Sequence, residues 1–261
     1  MDGDIEGLLA RTREAAAAAG ERIRADFGAP QDVRRKGRID LVTATDLAVE
    51  ALLKDRLAAI VPEAAFLAEE TAAATALDGP TWIIDPLDGT TNFAHSFPFV
   101  CTSVALYDGR EPVLGCVNAP MLGQMFCAGR GLGAFCNGQR LAVSGVDRVE
   151  AALVATGFPY AIRENLDEIM ADLRGMLAET QGIRRPGSAA LDLAYVAAGR
   201  FDAFYELALN PWDVAAGVLL VTEAGGRVGG YRPSGPYRLG DFRILASNGR
   251  LHEAMLGLLG G

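Results

Sequence analysis

The chain has 261 residues, half of them apolar, which is enough to bury a sizeable core in one compact unit. Its formal charge of −9 argues against nucleic acid as a partner, because that binding rests on basic surface laid over phosphates. The single basic cluster, Arg34-Arg35-Lys36-Gly37-Arg38, is short and reads as a solvated loop or as a receiver for an anionic substrate.

In chain order, Ile5, Leu8, Leu9, Thr12, Ala16, Ala19, Ile23 and Phe27 recur at helical spacing, and Gly28-Ala29-Pro30 stops that helix. Ile39 to Thr45 is β-branched and predicts a short strand. Asp46 then caps a second helix with Leu47, Val49, Leu52, Leu53, Leu57 and Ile60 inward. Ala64–Ala68 and Trp82–Ile84 read as buried strands, each running directly into acids. From Phe99 to Phe135 the pattern is β throughout, with Asp108-Gly109 as a hairpin signal. The second half alternates: strands at Leu153–Thr156, Ile183–Arg185, Phe201–Glu206 and Ile244–Ala246, and helices at Ile162–Thr180, Ser188–Ala198, Val214–Ala224 and Leu251–Leu259. The expected fold class is α+β over residues 1–143 followed by α/β over 144–261, the two halves forming one unit with a soft boundary near Leu141–Val146.

Only His95 and His252 are present, which excludes a histidine-rich metal site, and there is no Gly-x-Ser-x-Gly elbow. Cys101, Cys116, Cys127 and Cys136 lack the close pairing of a zinc or redox motif and read as buried free thiols. The acidic N-terminus lacks a secretory pattern and no apolar run reaches membrane-spanning length, so a soluble, cytoplasmic protein without a membrane partner is expected. Any metal would be held by carboxylates and carbonyls, donors that suit Mg²⁺ or Mn²⁺.

One segment concentrates the chemistry. In Thr81-Trp-Ile-Ile-Asp85-Pro-Leu-Asp88-Gly-Thr90-Thr91-Asn-Phe93 an apolar strand delivers Asp85 to its carboxyl end, and Pro86 keeps Asp85 extended. Two carboxylates three residues apart across a tight turn can converge on one cation, with the Leu87 carbonyl as a further oxygen donor. Gly89 permits close backbone approach, and Thr90-Thr91 opens a helix whose free amides suit a phosphate. Glu69-Glu70 also follows an apolar strand, and Trp212-Asp213 opens a helix after Asn210-Pro211. Each acid has a plainer reading, as exposed turn, solvated loop, helix cap or helix-terminal charge. Taken jointly, Glu69, Asp85, Asp88 and Asp213 would need cations to offset their repulsion, as in two-metal phosphoryl-transfer sites. Gly129-Arg-Gly131-Leu-Gly-Ala134 matches a loose dinucleotide fingerprint, but strand and turn follow it rather than helix.

Asp85-Pro-Leu-Asp88-Gly-Thr-Thr-Asn-Phe93 resembles the first signature of the inositol monophosphatase family, and Trp212-Asp213-Val-Ala-Ala-Gly217 resembles its second. Lys36…Asp40-Leu-Val-Thr-Ala-Thr-Asp46, Phe66-Leu-Ala-Glu-Glu70, Gly187-Ser-Ala-Ala-Leu-Asp-Leu193 and Phe204-Tyr-Glu206 resemble further stretches, so the likeness runs from about residue 5 to the C-terminus. It implies a layered αβαβα sandwich of the inositol monophosphatase/fructose-1,6-bisphosphatase type, a homodimer, and lithium inhibition. It also implies two or three Mg²⁺ per site: Glu69, Asp85 and the Leu87 carbonyl on the first, Asp85, Asp88 and Asp213 on the second, and Glu69 shared with a third. Thr90 and Glu69, with Asp46 behind Thr90, would orient and deprotonate a cation-bound water, and water near Asp213 would protonate the leaving group. Gly89 and Thr90 amides would hold phosphate, while Asp88, the Ala189 backbone, Glu206 and Asp213 would contact substrate. Lys36, one of only two lysines in the chain (the other is Lys54), would lie on a loop over the metals. Ala68 stands where the family usually has glycine, which matters only if positive φ is required there.

The implied reaction is hydrolysis of a small phosphate monoester, first among them myo-inositol 1-phosphate. Histidinol phosphate, fructose 1,6-bisphosphate and 3′-phosphoadenosine compounds are alternatives with the same chemistry, the last without an evident adenine platform. A regulatory or binding protein that keeps the fold is the alternative of another class, and the complete acid set argues against it.

Overall fold

Asp4 starts the first helix by accepting the Gly7 amide at 2.8 Å, and the small residues Ala15, Ala16, Ala19 and Gly20 make its buried face. That face lets the helix lie close to a sheet: the Asn118 side chain donates to the Ala16 carbonyl at 2.7 Å. The computed structural model describes residues 4–29, 34–35, 41–71 and 77–259. Chain order is α1 (Ile5–Asp26), β1 (Arg34–Arg35), β2 (Leu41–Val42), α2 (Ala44–Ala58), β3 (Ala65–Ala68), β4 (Pro80–Asp88), α3 (Thr90–Ala94), β5 (Cys101–Asp108), β6 (Glu111–Ala119), β7 (Gln124–Gly129), β8 (Gly133–Cys136) and β9 (Gln139–Arg140). It continues through β10 (Leu153–Thr156), α4 (Leu166–Glu179), β11 (Gly182–Arg184), α5 (Ala189–Ala197), β12 (Ala203–Leu207), α6 (Pro211–Glu223), β13 (Arg227–Gly230), β14 (Gly235–Pro236), β15 (Arg243–Ser247) and α7 (His252–Leu259).

Strands β3 to β9 form one sheet in sequence order, parallel only between β3 and β4. The second sheet runs β11-β10-β12-β15-β13-β14, parallel across β11-β10-β12 and antiparallel beyond. Alternation along β4 explains the layering. Trp82 and Ile84 pack with Ala19 and Ile23 of α1 and with Val49, Leu53 and Leu57 of α2. Ile83 points the other way, into a core shared by Leu193 and Ala194 of α5, Val214 and Leu220 of α6, and Phe204 and Ala246 of the second sheet. A third core joins Val154, Ala203 and Leu245 to Ile169 and Met176 of α4 and Met255 and Leu259 of α7. The result is five layers, αβαβα. Both faces of the central strands are covered, so they read as unbroken apolar runs.

Several expectations are adjusted. Thr43, not Asp46, caps α2; Asp46 sits at the third helical position and closes a capping box with Thr43. The expected Ile39–Thr45 strand is Leu41–Val42 alone among the described residues, because Thr43 turns the chain into α2. The Ile162–Thr180 helix divides into a short turn at Ile162–Glu164 and α4. The glycine-rich β13 and β14 carry no apolar alternation and escaped sequence reasoning. Gly129–Ala134 is a strand-turn-strand, with Gly131 and Gly133 at positive φ. Cys101, Cys116 and Cys127 are buried free thiols and Cys136 is half-buried. No helix among the described residues is long and apolar enough to cross a membrane. Pro30, Lys36 and Asp40 lie outside the described residues.

Candidate active site

Strand β4 loses register with β5 between Asp85 and Asp88, the kind of irregularity that re-aims side chains at the edge of a site. There Asp85 Oδ1 accepts the Leu87 amide at 3.0 Å, and the Thr102 hydroxyl donates to the Pro86 carbonyl. Gly89 has φ 93°, and a Cβ on it would stand 3.0 Å from the Phe99 carbonyl, so both conformation and space call for glycine. Helix α3 begins at the next residue.

Asp88 Oδ2 accepts from Ser188 Oγ at 2.7 Å and from the Ala190 amide at 2.8 Å, which fastens the β4 turn to the start of α5. Asn92 strengthens the same seam by donating to the Phe99 and Pro186 carbonyls at 2.8 and 2.9 Å. Thr90 Oγ1 stands 3.0 Å from Asp46 Oδ1 and 3.1 Å from the Leu87 carbonyl, with one proton for the two acceptors. Asp46 divides its oxygens: Oδ2 accepts the Thr43 amide at 2.8 Å and the Thr43 hydroxyl, and Oδ1 faces Thr90. Its cap and its contact with the site are compatible.

Glu69 opens a three-residue turn at the end of β3, beside β4. Asp213 occupies the third position of α6 and accepts the Asn210 amide at 2.6 Å. Ala68 carries no positive φ, so alanine is accommodated where the family favours glycine. Asp85 is nearly fully buried, and its carboxyl is pushed well above the usual range, first by burial and then by the charges of Glu69, Asp88, Asp213 and Asp46. Burial likewise raises Asp213, with Asp88 next in effect. Asp88 is pushed up to about 6 by burial, against the lowering influence of Ser188, the Ala190 and Gly89 amides and Arg185. Asp46 is also raised by burial, against its bonds from Thr43 and Thr90.

The second half of the chain supplies the opposite wall. A cleft is lined by Asp88, Gly89, Thr90, Ala189, Glu206 and Asp213, together with Arg185 and Asp192. Glu206 on β12 fits because residue 157 is glycine: a Cβ there would lie 2.1 Å from Glu206 Oε2. Glu206 and the buried Asp192 are both raised well above the ordinary range by burial, and Arg185 opposes each shift. Among the described residues, Asp192 Oδ1 has no hydrogen-bond partner. Arg185 stacks 5.3 Å from the Phe158 ring centroid.

The expected substrate-contacting residues thus meet in one cleft, with Asp85 and Leu87 buried and Glu69 acting electrostatically on Asp85 and Asp213. Sequence reasoning missed Arg185, Asp192, Gly157 and Ser188. Asp192 and Ser188 belong to the family-like stretch 187–193 but carry no mark of burial in sequence, and Arg185 merely ends an expected strand. Among the described residues, no three His, Cys, Asp or Glu side chains already form a coordination group. The acids still fit a hard divalent cation, being all oxygen donors around a buried carboxylate whose charged neighbours are themselves acids.

The sequence profile of the inositol monophosphatase family matches residues 4–260. An inositol-1-monophosphatase of Synechocystis sp. is 42% identical over 254 residues, spanning 97% of this chain and 88% of its own. Inositol monophosphatase 2 of Solanum lycopersicum is 43% identical over 258 residues, spanning 94% and 95%. The solved inositol monophosphatase of Anabaena superposes with a TM-score of 0.89 at 38% identity, covering 98% of this chain and 96% of that one. With the acid-bearing turn, the two-walled cleft and these likenesses in agreement, the chain belongs to the inositol monophosphatase family, a family of phosphoric monoester hydrolases.

Proposed function

We propose that this cleft hydrolyses a small phosphate monoester, with myo-inositol 1-phosphate preferred, and that residues 1–143 and 144–261 work as one unit around it. The carrying observation is Asp85: a buried carboxylate surrounded by Glu69, Asp88, Asp213 and Asp46 is complementary to cations, not to an alcohol. Glu69, Asp85, the Leu87 carbonyl, Asp88 and Asp213 would hold Mg²⁺, or Mn²⁺ in its place, in two or three positions. When bound, such cations supply Lewis acidity toward phosphoryl oxygens and offset developing charge. The Gly89 and Thr90 amides face the phosphate. Thr90 Oγ1 takes a proton from the attacking water as it passes its own proton to Asp46 Oδ1, and Glu69 orients that water. Burial makes Asp46 a stronger base than an ordinary aspartate, which favours this relay. Asp88, Glu206 and Asp213 meet the alcohol together with the Ala189 backbone.

Two neighbours support the cation and lithium parts of this reading. One is an IMPase/NADP phosphatase complexed with NADP and Ca²⁺, 25% identical with a TM-score of 0.86. The other is a LiCl-soaked inhibitory complex of Staphylococcal inositol monophosphatase-1, 26% identical with a TM-score of 0.80. A cytoplasmic homodimer belongs to the same proposal. Leu166, Met170 and Leu177 are 48%, 51% and 60% exposed on one face of α4, a stripe that a second copy would cover.

The test is a panel of phosphate esters assayed with Mg²⁺. The expected result is highest kcat/KM for inositol phosphates and a loss of roughly a hundredfold or more in Asp88→Asn. Histidinol phosphate or fructose bisphosphate ranking far above them would overturn the substrate assignment. Hydrolysis of no ester by the wild type would overturn the enzyme.

A further inference from the structure

The turn that presents Glu69 is held by a side chain outside the proposed ligand set. Glu50 lies on α2, one helical turn beyond Asp46, and is 3% exposed. Its Oε2 accepts the Glu70 amide at 2.8 Å, and its Oε1 accepts the Thr71 hydroxyl at 2.6 Å. Lys54, a further turn along, donates to Glu50 Oε1 at 2.9 Å and also to Thr71 Oγ1. Residues 46, 50 and 54 share one face of the helix, as their four-residue spacing requires. That face therefore braces both acid-bearing turns: Asp46 reaches Thr90 behind Asp85 and Asp88, and Glu50 reaches the turn of Glu69.

We infer that Glu50 is a positioning residue, fixing the Glu69–Thr71 turn so that the Glu69 carboxylate stays directed toward Asp85, and thereby setting the affinity of the site for a divalent cation. This rests on the cation-dependent reading above. A three-residue turn has few backbone hydrogen bonds of its own, so its orientation depends on what anchors it. Glu50 anchors it twice, through a backbone amide and a neighbouring hydroxyl. The Lys54 ammonium partly compensates the burial of the Glu50 carboxylate and keeps it available as an acceptor. Partners that orient ligands in this way commonly contribute 10- to 100-fold to metal affinity, as an order of magnitude.

The experiment is Mn²⁺ binding to metal-free, full-length protein, followed by electron paramagnetic resonance without substrate. Glu50→Gln keeps the size of the side chain but puts amide donors where donors already point. Its expected effect is a rise in Kd of about tenfold or more. The thermal melt of the same metal-free sample separates stability from affinity. Glu50→Gln in a Glu69→Gln background is expected to add no further loss, because the brace acts through Glu69. Thr71→Val removes one of the two attachments while leaving Glu50 in place, and is expected to weaken binding in the same direction if Glu50→Gln fails to fold. Unchanged affinity in the single variants, or full additivity with Glu69→Gln, would overturn the inference. Wild type that binds Mn²⁺ but hydrolyses no ester would overturn only the phosphatase reading, and wild type that binds no Mn²⁺ would overturn both.

Discussion

Glu206 can occupy the cleft only because its neighbour lacks a side chain. An alanine methyl at position 157 would stand 2.1 to 2.4 Å from the Glu206 carboxylate atoms, and Gly157 itself has no positive φ to make alanine unwelcome for other reasons. Gly157→Ala is therefore expected to push the carboxylate aside and weaken only contacts to the alcohol. KM for inositol phosphate should rise roughly tenfold, the worth of one or two hydrogen bonds, with kcat on p-nitrophenyl phosphate unchanged. An unchanged KM for inositol phosphate would remove Glu206 from alcohol recognition. At this scale legibility was uneven. Asp85, Asp88 and Asp213 announce themselves through a strand, a tight turn and a helix start. Gly157, Arg185 and Asp192 do not, because their meaning lies in which distant side chain each one faces.

Helix α6 brings Asp213 to the acid-bearing turn and must lie close against the sheet to do so. Gly115 on β6 makes that approach possible: a Cβ there would be 2.9 Å from Ala216 Cα and 3.1 Å from the Ala216 carbonyl oxygen, both backbone atoms. Gly115→Ala should force the helix outward at a cost of about 1–3 kcal/mol, lowering Tm by several degrees. Because the displaced helix carries Asp213, the Mg²⁺ concentration for half-maximal activity should rise as well. A melt and a Mg²⁺ titration check both, and a lowered Tm with an unchanged Mg²⁺ requirement would show that α6 yields without moving Asp213. Helical periodicity and apolar strand runs were enough to locate the principal elements from sequence. They did not reveal β13 and β14, whose glycines leave no alternation to read, nor the mixed direction of the second sheet, which is decided by pairing between distant strands.

For the whole molecule, the buried acids make stability depend on pH and cation together. Asp88 titrates near 6 in the folded chain, against 3.8 as its ordinary value. Between those values the folded state holds a proton that the unfolded state has released, so this group's contribution to stability falls as pH rises through the window. The loss reaches about 3 kcal/mol above pH 6 if no cation is bound. Asp85 and Asp213, also raised, act in the same direction. His252 opposes them: burial lowers it to about 4, so its contribution is lost as pH falls from about 6.5 toward 4. Melts in Mg²⁺ and in EDTA share the His252 effect, so their difference isolates the acids. That difference in Tm should be near zero at pH 5 and several degrees at pH 7.5. A difference independent of pH would show that the carboxylates are not what the cation relieves.

By itself the sequence determined the chemistry at the mouth of one strand, because Asp85, Pro86, Leu87, Asp88 and Gly89 are chain neighbours and their geometry follows from a strand running into a turn. It also determined, through the alternation of strand and helix patterns, that sheets and helices would stack in layers. Only the tertiary structure decided that Ser188 and the Ala190 amide would grip Asp88, that Arg185 would moderate Glu206 and Asp192, and that Glu50 would hold the turn of Glu69. The hydrogen bonds among them join residues 20 to 102 positions apart. Their existence depends on how buried surfaces close upon one another, which no local periodicity along the chain records.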